Sequence, residues 1–119
     1  YTPDGVLDTS FNSTGAKFFI IGNGSQGQGI TLQSDEKILI TGYASEGTTK
    51  VALARLDTNG TLDTSFNSTG YVTTQVFWGA ASTSVIVQPD TNIVVGGLSY
   101  NNQGDFMLIR YDSSGNLDS

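Results

Sequence analysis

Asp57 and Asp63, with Asn59 and Gly60 between them, are the residues whose types and spacing come nearest to a recognisable chemistry. An Asp-x-Asn-Gly run offers the carboxylate and amide oxygens that gather around calcium, a hard cation that takes oxygen ligands. The matching positions elsewhere read Thr2-x-Asp4-Gly5-x-x-Asp8 and Asp112-x-Ser114-Gly115-x-x-Asp118, so the ligand set changes from copy to copy. A hairpin turn accounts better for what stays the same, and no metal or other cofactor is expected. Paired carboxylates also run glycoside hydrolysis when two of them stand about 5 to 10 Å apart. Nearly every Asp here lies in a recurring turn, where a structural role suffices, so no catalytic residue is assigned. The chain has no His and no Cys, which removes thiol chemistry and the commonest zinc and triad residues.

Arg55 and Arg110 occupy one repeat position. A binding patch is one reading of the pair; the expected one is structural, each planar guanidinium tying turn to strand by pairing with an Asp of the motif in which Asp8 and Asp63 recur. Phe77 and Trp78 stand where the first copy has Gly22 and Asn23. They are expected to fill a contact between repeats or subunits, because aromatics dominate such interfaces; stacking on a sugar ring is the rival role. Four Asn-x-Ser/Thr tripeptides begin at Asn12, Asn23, Asn59 and Asn67. Asn12 and Asn67 sit at equivalent positions and are the preferred glycan carriers if the chain is exported by an organism that glycosylates.

The elements that position these residues follow from a repeat. Leu7-Asp8-Thr9-Ser10-Phe11 returns as Leu62-Asp63-Thr64-Ser65-Phe66 and begins again at Leu117-Asp118-Ser119. Gly5, Gly60 and Gly115 precede the copies at a constant step of 55 residues. Leu7 and Phe11, the apolar anchors of an otherwise polar loop, are expected to be buried between neighbouring units. Within the first unit, 16–21, 30–33, 38–43 and 51–56 read as strands, with 22–27 too rich in glycine to be other than loop and 44–49 a polar loop. The second unit repeats them at 71–76, 84–88, 93–98 and 106–111. Four short antiparallel strands per period is the anatomy of a β-propeller blade.

The expected fold is therefore all-β, a propeller-type tandem repeat of two four-stranded blades that is incomplete as a closed propeller. Residues 1–15 form a part-repeat turn and motif, 16–70 a first blade, and 71–119 a second. Residues 1–9 and 111–119 occupy the same repeat positions, so the chain starts and stops in one loop and could hand that segment to another copy. Five basic residues against a net charge of −6 make nucleic acid a poor partner. No apolar run approaches the roughly 18 residues that span a bilayer, so no membrane insertion is expected. The opening Tyr1, with no Met, reads as a processed product or a piece of something longer.

The run Leu53-Ala54-Arg55-Leu56 leading into Asn59-Gly60-Thr61-Leu62-Asp63-Thr64-Ser65-Phe66, with Gln88-Pro89-Asp90 ahead of Ile93-Val94-Val95-Gly96-Gly97, resembles the delta-60 repeat family. That resemblance covers the whole chain and implies a bacterial tandem-repeat protein of propeller type, secreted or at the cell surface, with no enzymatic residue to carry over. The expected role is a non-catalytic extracellular structural or interaction module, a segment or subunit of an array, filament or other homo-oligomer. The alternative is a carbohydrate-binding propeller assembled from several such chains.

Overall fold

The computed structural model describes residues 1–101 and 103–119. Its strands are β1 (Ser25–Leu32), β2 (Ile38–Glu46), β3 (Thr48–Leu56), β4 (Tyr71–Thr74), β5 (Ala80–Val87), β6 (Ile93–Ser99) and β7 (Asp105–Tyr111), and a 3-10 turn spans Phe11–Ser13. They form two antiparallel sheets, ordered β1-β2-β3-β4 and β5-β6-β7. The architecture is an all-β pair of propeller blades that does not close.

The phase of the blades differs from the sequence expectation. Residues 71–74 do not open the second blade. They cross the repeat boundary and complete the first, with Val51 opposite Thr74 and Ala54 opposite Tyr71. After Thr74 the chain passes to β5, the first strand of the next sheet, which leaves that sheet three strands among the described residues. The equivalent segment 16–21, expected as a strand, has no ladder partner there and is not one. Its neighbours in the repeat explain why: a strand needs an edge to pair with, and the edge that Tyr71–Thr74 uses belongs to the blade before it.

Two expected loops are strand instead. Ser25, Gln26 and Gly27 lie in β1 opposite Ala44, Tyr43 and Gly42, so pairing overrides the weak propensity of a glycine-rich run. A register shift between Gly27 and Gly29 recurs between Ser82 and Ser84, at equivalent positions of β5. Residues 44–49 are likewise paired, Ala44 with Lys50 and Glu46 with Thr48, around Gly47.

The core lies between the sheets. Leu39, Val51 and Leu53 of the first blade pack with Val85, Ile93, Val95, Met107 and Tyr111 of the second. Alternation along β3 puts Val51 and Leu53 on the face toward β5–β7 and Ala52 and Ala54 on the opposite face, where Ile21 covers them. Two polar bridges cross the same interface. Thr41 and Ser82 hydroxyls meet at 2.5 Å, with Ser82 Oγ also 2.9 Å from the Gly42 carbonyl. Thr74 and Tyr111 hydroxyls meet at 2.6 Å. Buried hydroxyls are costly without partners, and here each has one.

Candidate functional site

The repeated motif builds a clasp between blades. Asp63 starts it: its Oδ1 accepts from the Ser65 amide at 3.0 Å and from the Ser65 hydroxyl at 2.6 Å, closing an Asx turn. That turn drops Phe66 into the core, where it is wholly buried. Arg55, at the end of β3, lies over the Phe66 ring at 4.7 Å. Its Nε donates to Asp63 Oδ2 at 2.7 Å, Nη2 to Ser65 at 3.1 Å and Nη1 to the Ser113 carbonyl of the second blade at 2.7 Å. Lys37 Nζ donates to the same Asp63 oxygen at 2.9 Å. Burial raises the Asp63 carboxyl, but hydrogen bonds from Ser65 and Lys37 and the Arg55 charge outweigh it. The group is held well below the usual carboxylate range.

The other copies are graded versions of this clasp. Arg110 Nε pairs with Asp118 Oδ2 at 2.5 Å, but both side chains are far more exposed than Arg55 and Asp63. Asp8 closes the same turn on Ser10. Phe11 is only half-buried and Leu7 is exposed, which corrects the expectation that both are buried between units. Phe66 lies between two blades, whereas Phe11 has one blade to pack on. Even so, the loops match in detail. The Asn12 amide reaches the Gly60 turn through the Asn59 carbonyl at 3.0 Å, and the Asn67 amide reaches the Ser114 carbonyl at 2.9 Å.

Asp57 spends its carboxylate on the amides of Asn59 and Thr61, while Asp63 faces Arg55 and Lys37, so the two do not converge on one point. Among the described residues no group of three or more acidic, His or Cys side chains gathers as a metal set. Asn12 and Asn67 adopt positive φ of 50° and donate a side-chain N–H to the carbonyls of Ala16 and Tyr71. Asn23 and Asn59 are exposed.

Phe77 and Trp78 do not enter the contact between the two sheets: both project into solvent, Trp78 with 81% of its surface accessible. The loop hangs between Thr74 and Ala80, anchored by the Gly79 carbonyl, which accepts from the Tyr100 amide. Phe77 holds φ of 44°, a left-handed conformation that Gly22 adopts freely at the matching position and that strains a residue with a bulky side chain.

The residues that sequence reasoning passed over are on the outer faces. Phe106 and Leu108, equivalent to the buried Val51 and Leu53, are exposed on the side of β7 that faces away from the first blade. On the opposite end of the pair, Ile30 and Leu32 are exposed where Val85 and Val87 contribute to the core. Beside them a cleft of about 220 Å³, lined by Phe18, Ile21, Gly27, Ile40, Ala52 and Ala54, opens between segment 16–21 and the outer face of the first blade. The four-residue apolar run 106–109, too long for a one-sided strand, was the available signal.

Among curated proteins no relative matches significantly. The family model described as domain of unknown function (DUF5122) beta-propeller matches residues 33–66 and 88–119. The two stretches begin one repeat step apart, each at the hairpin turn between the first two strands of a blade, and run through the next two strands, β2 and β3 in one and β6 and β7 in the other, into the motif loop. Together they cover more than half of the chain, which therefore belongs to the DUF5122 beta-propeller family.

Proposed function

We propose that the chain is a non-catalytic structural and interaction module that works by joining its repeat faces to further copies of itself, as a subunit or segment of an extracellular or cell-surface array or fibre. The single observation that carries this reading is the contrast between equivalent positions: Val51 and Leu53 are buried against a neighbouring blade, while Phe106 and Leu108 stand open. Monomeric proteins rarely leave such a patch uncovered. A head-to-tail contact of this kind does not return on itself unless the rotation closes, so it supports rings and filaments alike. The sequence resemblance to the delta-60 repeat family agrees with a secreted or surface location, and the net charge of −6 argues against a nucleic-acid role. Electron microscopy of the purified chain tests it: discs or fibres are expected, and dispersed particles of single-chain size at high concentration contradict it.

A second reading rests on Phe77 and Trp78. An exposed Trp beside a strained Phe is a surface on which a sugar ring can stack, and a lectin-like propeller would place such loops around one end. A glycan array with the Trp78→Ala variant as control tests that reading. Loss of binding with assembly intact supports it, and no binding by either chain removes it.

A further inference from the structure

We infer that segment 16–19 of one copy adds to the free edge of β7 in a second copy as the fourth strand of its incomplete blade. The inference rests on the reading of the chain as a self-assembling module and names the contact that does it.

The register is written inside the chain. β4 pairs with β3 as Val51–Thr74, Ala52–Thr73, Leu53–Val72 and Ala54–Tyr71. One repeat step relates β3 to β7, and the same step relates β4 to 16–19. Transposed, the pairs become Phe106–Phe19, Met107–Phe18, Leu108–Lys17 and Ile109–Ala16. Both halves are unmatched among the described residues: β7 ends its sheet, and 16–19 belongs to none. An unpaired strand edge and a free extended segment are the two parts of strand addition between chains.

Segment 16–19 is also held ready. The loop before it has the conformation of the loop before β4. Asn12 and Ser13 have φ of 50° and 60° where Asn67 and Ser68 have 50° and 61°. The Asn12 and Thr14 side chains fix the Ala16 carbonyl at 2.7 and 2.8 Å, as Asn67 and Thr69 fix the Tyr71 carbonyl at 2.8 Å each. Behind the segment, Ile21 stays packed on Ala52 and Ala54, and the Asn23 amide stays bonded to the Ser45 carbonyl. Phe19 packs on the same cluster, so donation offers the backbone edge of the segment while its inner side chains keep their hold on their own blade.

Side-chain size around Phe106 fits another copy of the first blade as the next unit. Where blade one presents Val51 forward, blade two presents the larger Phe106, beside a Leu108 that matches Leu53 and with Val94 and Gly96 in place of Leu39 and Thr41, so the added bulk is local to the Phe106 ring. Where blade two presents Ser82, Met107 and Ile109 backward, blade one presents the smaller Gly27, Ala52 and Ala54. The cleft beside Ala52 and Ala54 is the space that ring would fill. Phe106 beside Phe19 would make an aromatic cross-strand pair over that space.

The test uses single-cysteine variants, which the absence of native Cys makes clean. Lys17→Cys and Leu108→Cys chains are mixed under mild oxidation and the linked heterodimer is counted, with Lys17→Cys plus Met107→Cys as the out-of-face control. Directly opposed residues bring Cβ atoms to about 4.5 to 5.5 Å, within slight adjustment of disulfide geometry. The expected result is a heterodimer at least tenfold in excess of the control. In the unmodified chain, amide exchange at 16–19 and 106–109 is expected to slow on assembly. Assembly with no excess linkage and no slowing overturns strand donation and leaves the self-assembly reading standing. A chain that sediments as a monomer at every concentration overturns both.

Discussion

A Cβ on Gly115 would fall 2.9 Å from the Phe66 ring, and one on Gly60 would fall 2.6 Å from the Phe11 ring. The same aromatic thus lies under the same turn in two consecutive repeats, each time reaching forward from one motif to the next Asp-x-x-Gly turn. Only glycine fits there on two counts, since Gly115 has φ of 90° and Gly60 of 83°. Gly115→Ala is expected to destabilise the chain by about 1 to 3 kcal/mol through strain and displacement of the ring. A denaturant melt with an unchanged midpoint contradicts this.

Phe66→Ala removes a fully buried ring from the interface and is expected to cost about 3 to 5 kcal/mol. Phe11→Ala, at a half-buried site, is expected to cost clearly less. Equal losses would mean that Phe66 is not held between blades as described.

Arg55 and Arg110 test the clasp by contrast. Arg55→Ala leaves the partly buried Asp63 carboxylate with Lys37 as its one remaining countercharge and frees the Ser113 carbonyl, for an expected loss of about 1.5 to 3 kcal/mol. Arg110→Ala breaks a half-exposed pair, worth about 0 to 1 kcal/mol. Arg55→Lys is expected to recover little, because one ammonium cannot serve Asp63, Ser65 and Ser113 together. Thermal melts of the three variants decide it.

The Asp63 carboxyl is held below its ordinary value, so it adds stability that is present at neutral pH, above the unfolded value of about 4. As pH falls below about 4 the unfolded chain takes up the proton that folded Asp63 refuses, and that stability is progressively lost. The melting temperature is expected to drop below pH 4 in the native chain and to drop less in Asp63→Asn, whose starting stability is lower. Parallel acid profiles in the two contradict the assignment.

The period, the all-β class and the propeller type were legible in the sequence, because a 55-residue step with four apolar runs admits few other folds. The phase was not. A repeat specifies which residues are equivalent but not which four consecutive strands share a sheet, and the Leu62–Gly70 loop could join strands within a blade or between blades. The hydrogen bond from the Arg55 amide to the Gly70 carbonyl, which ties that loop back to β3, decides it. An arginine eight residues ahead of an aspartate is visible twice in the sequence, and both pairs form. The third arm of Arg55, reaching Ser113 on the other blade, carries no local signal because it depends on how two sheets pack.

Sedimentation velocity of the unmodified chain beside Phe106→Asp tests the central claim most directly. Phe106 is exposed and stands opposite Phe19 in the register, so the substitution should leave each chain folded while placing an unpaired charge on the open face. The account predicts concentration-dependent large species for the unmodified chain and a folded monomer for Phe106→Asp. Identical sedimentation of the two, whether both large or both monomeric, would contradict it.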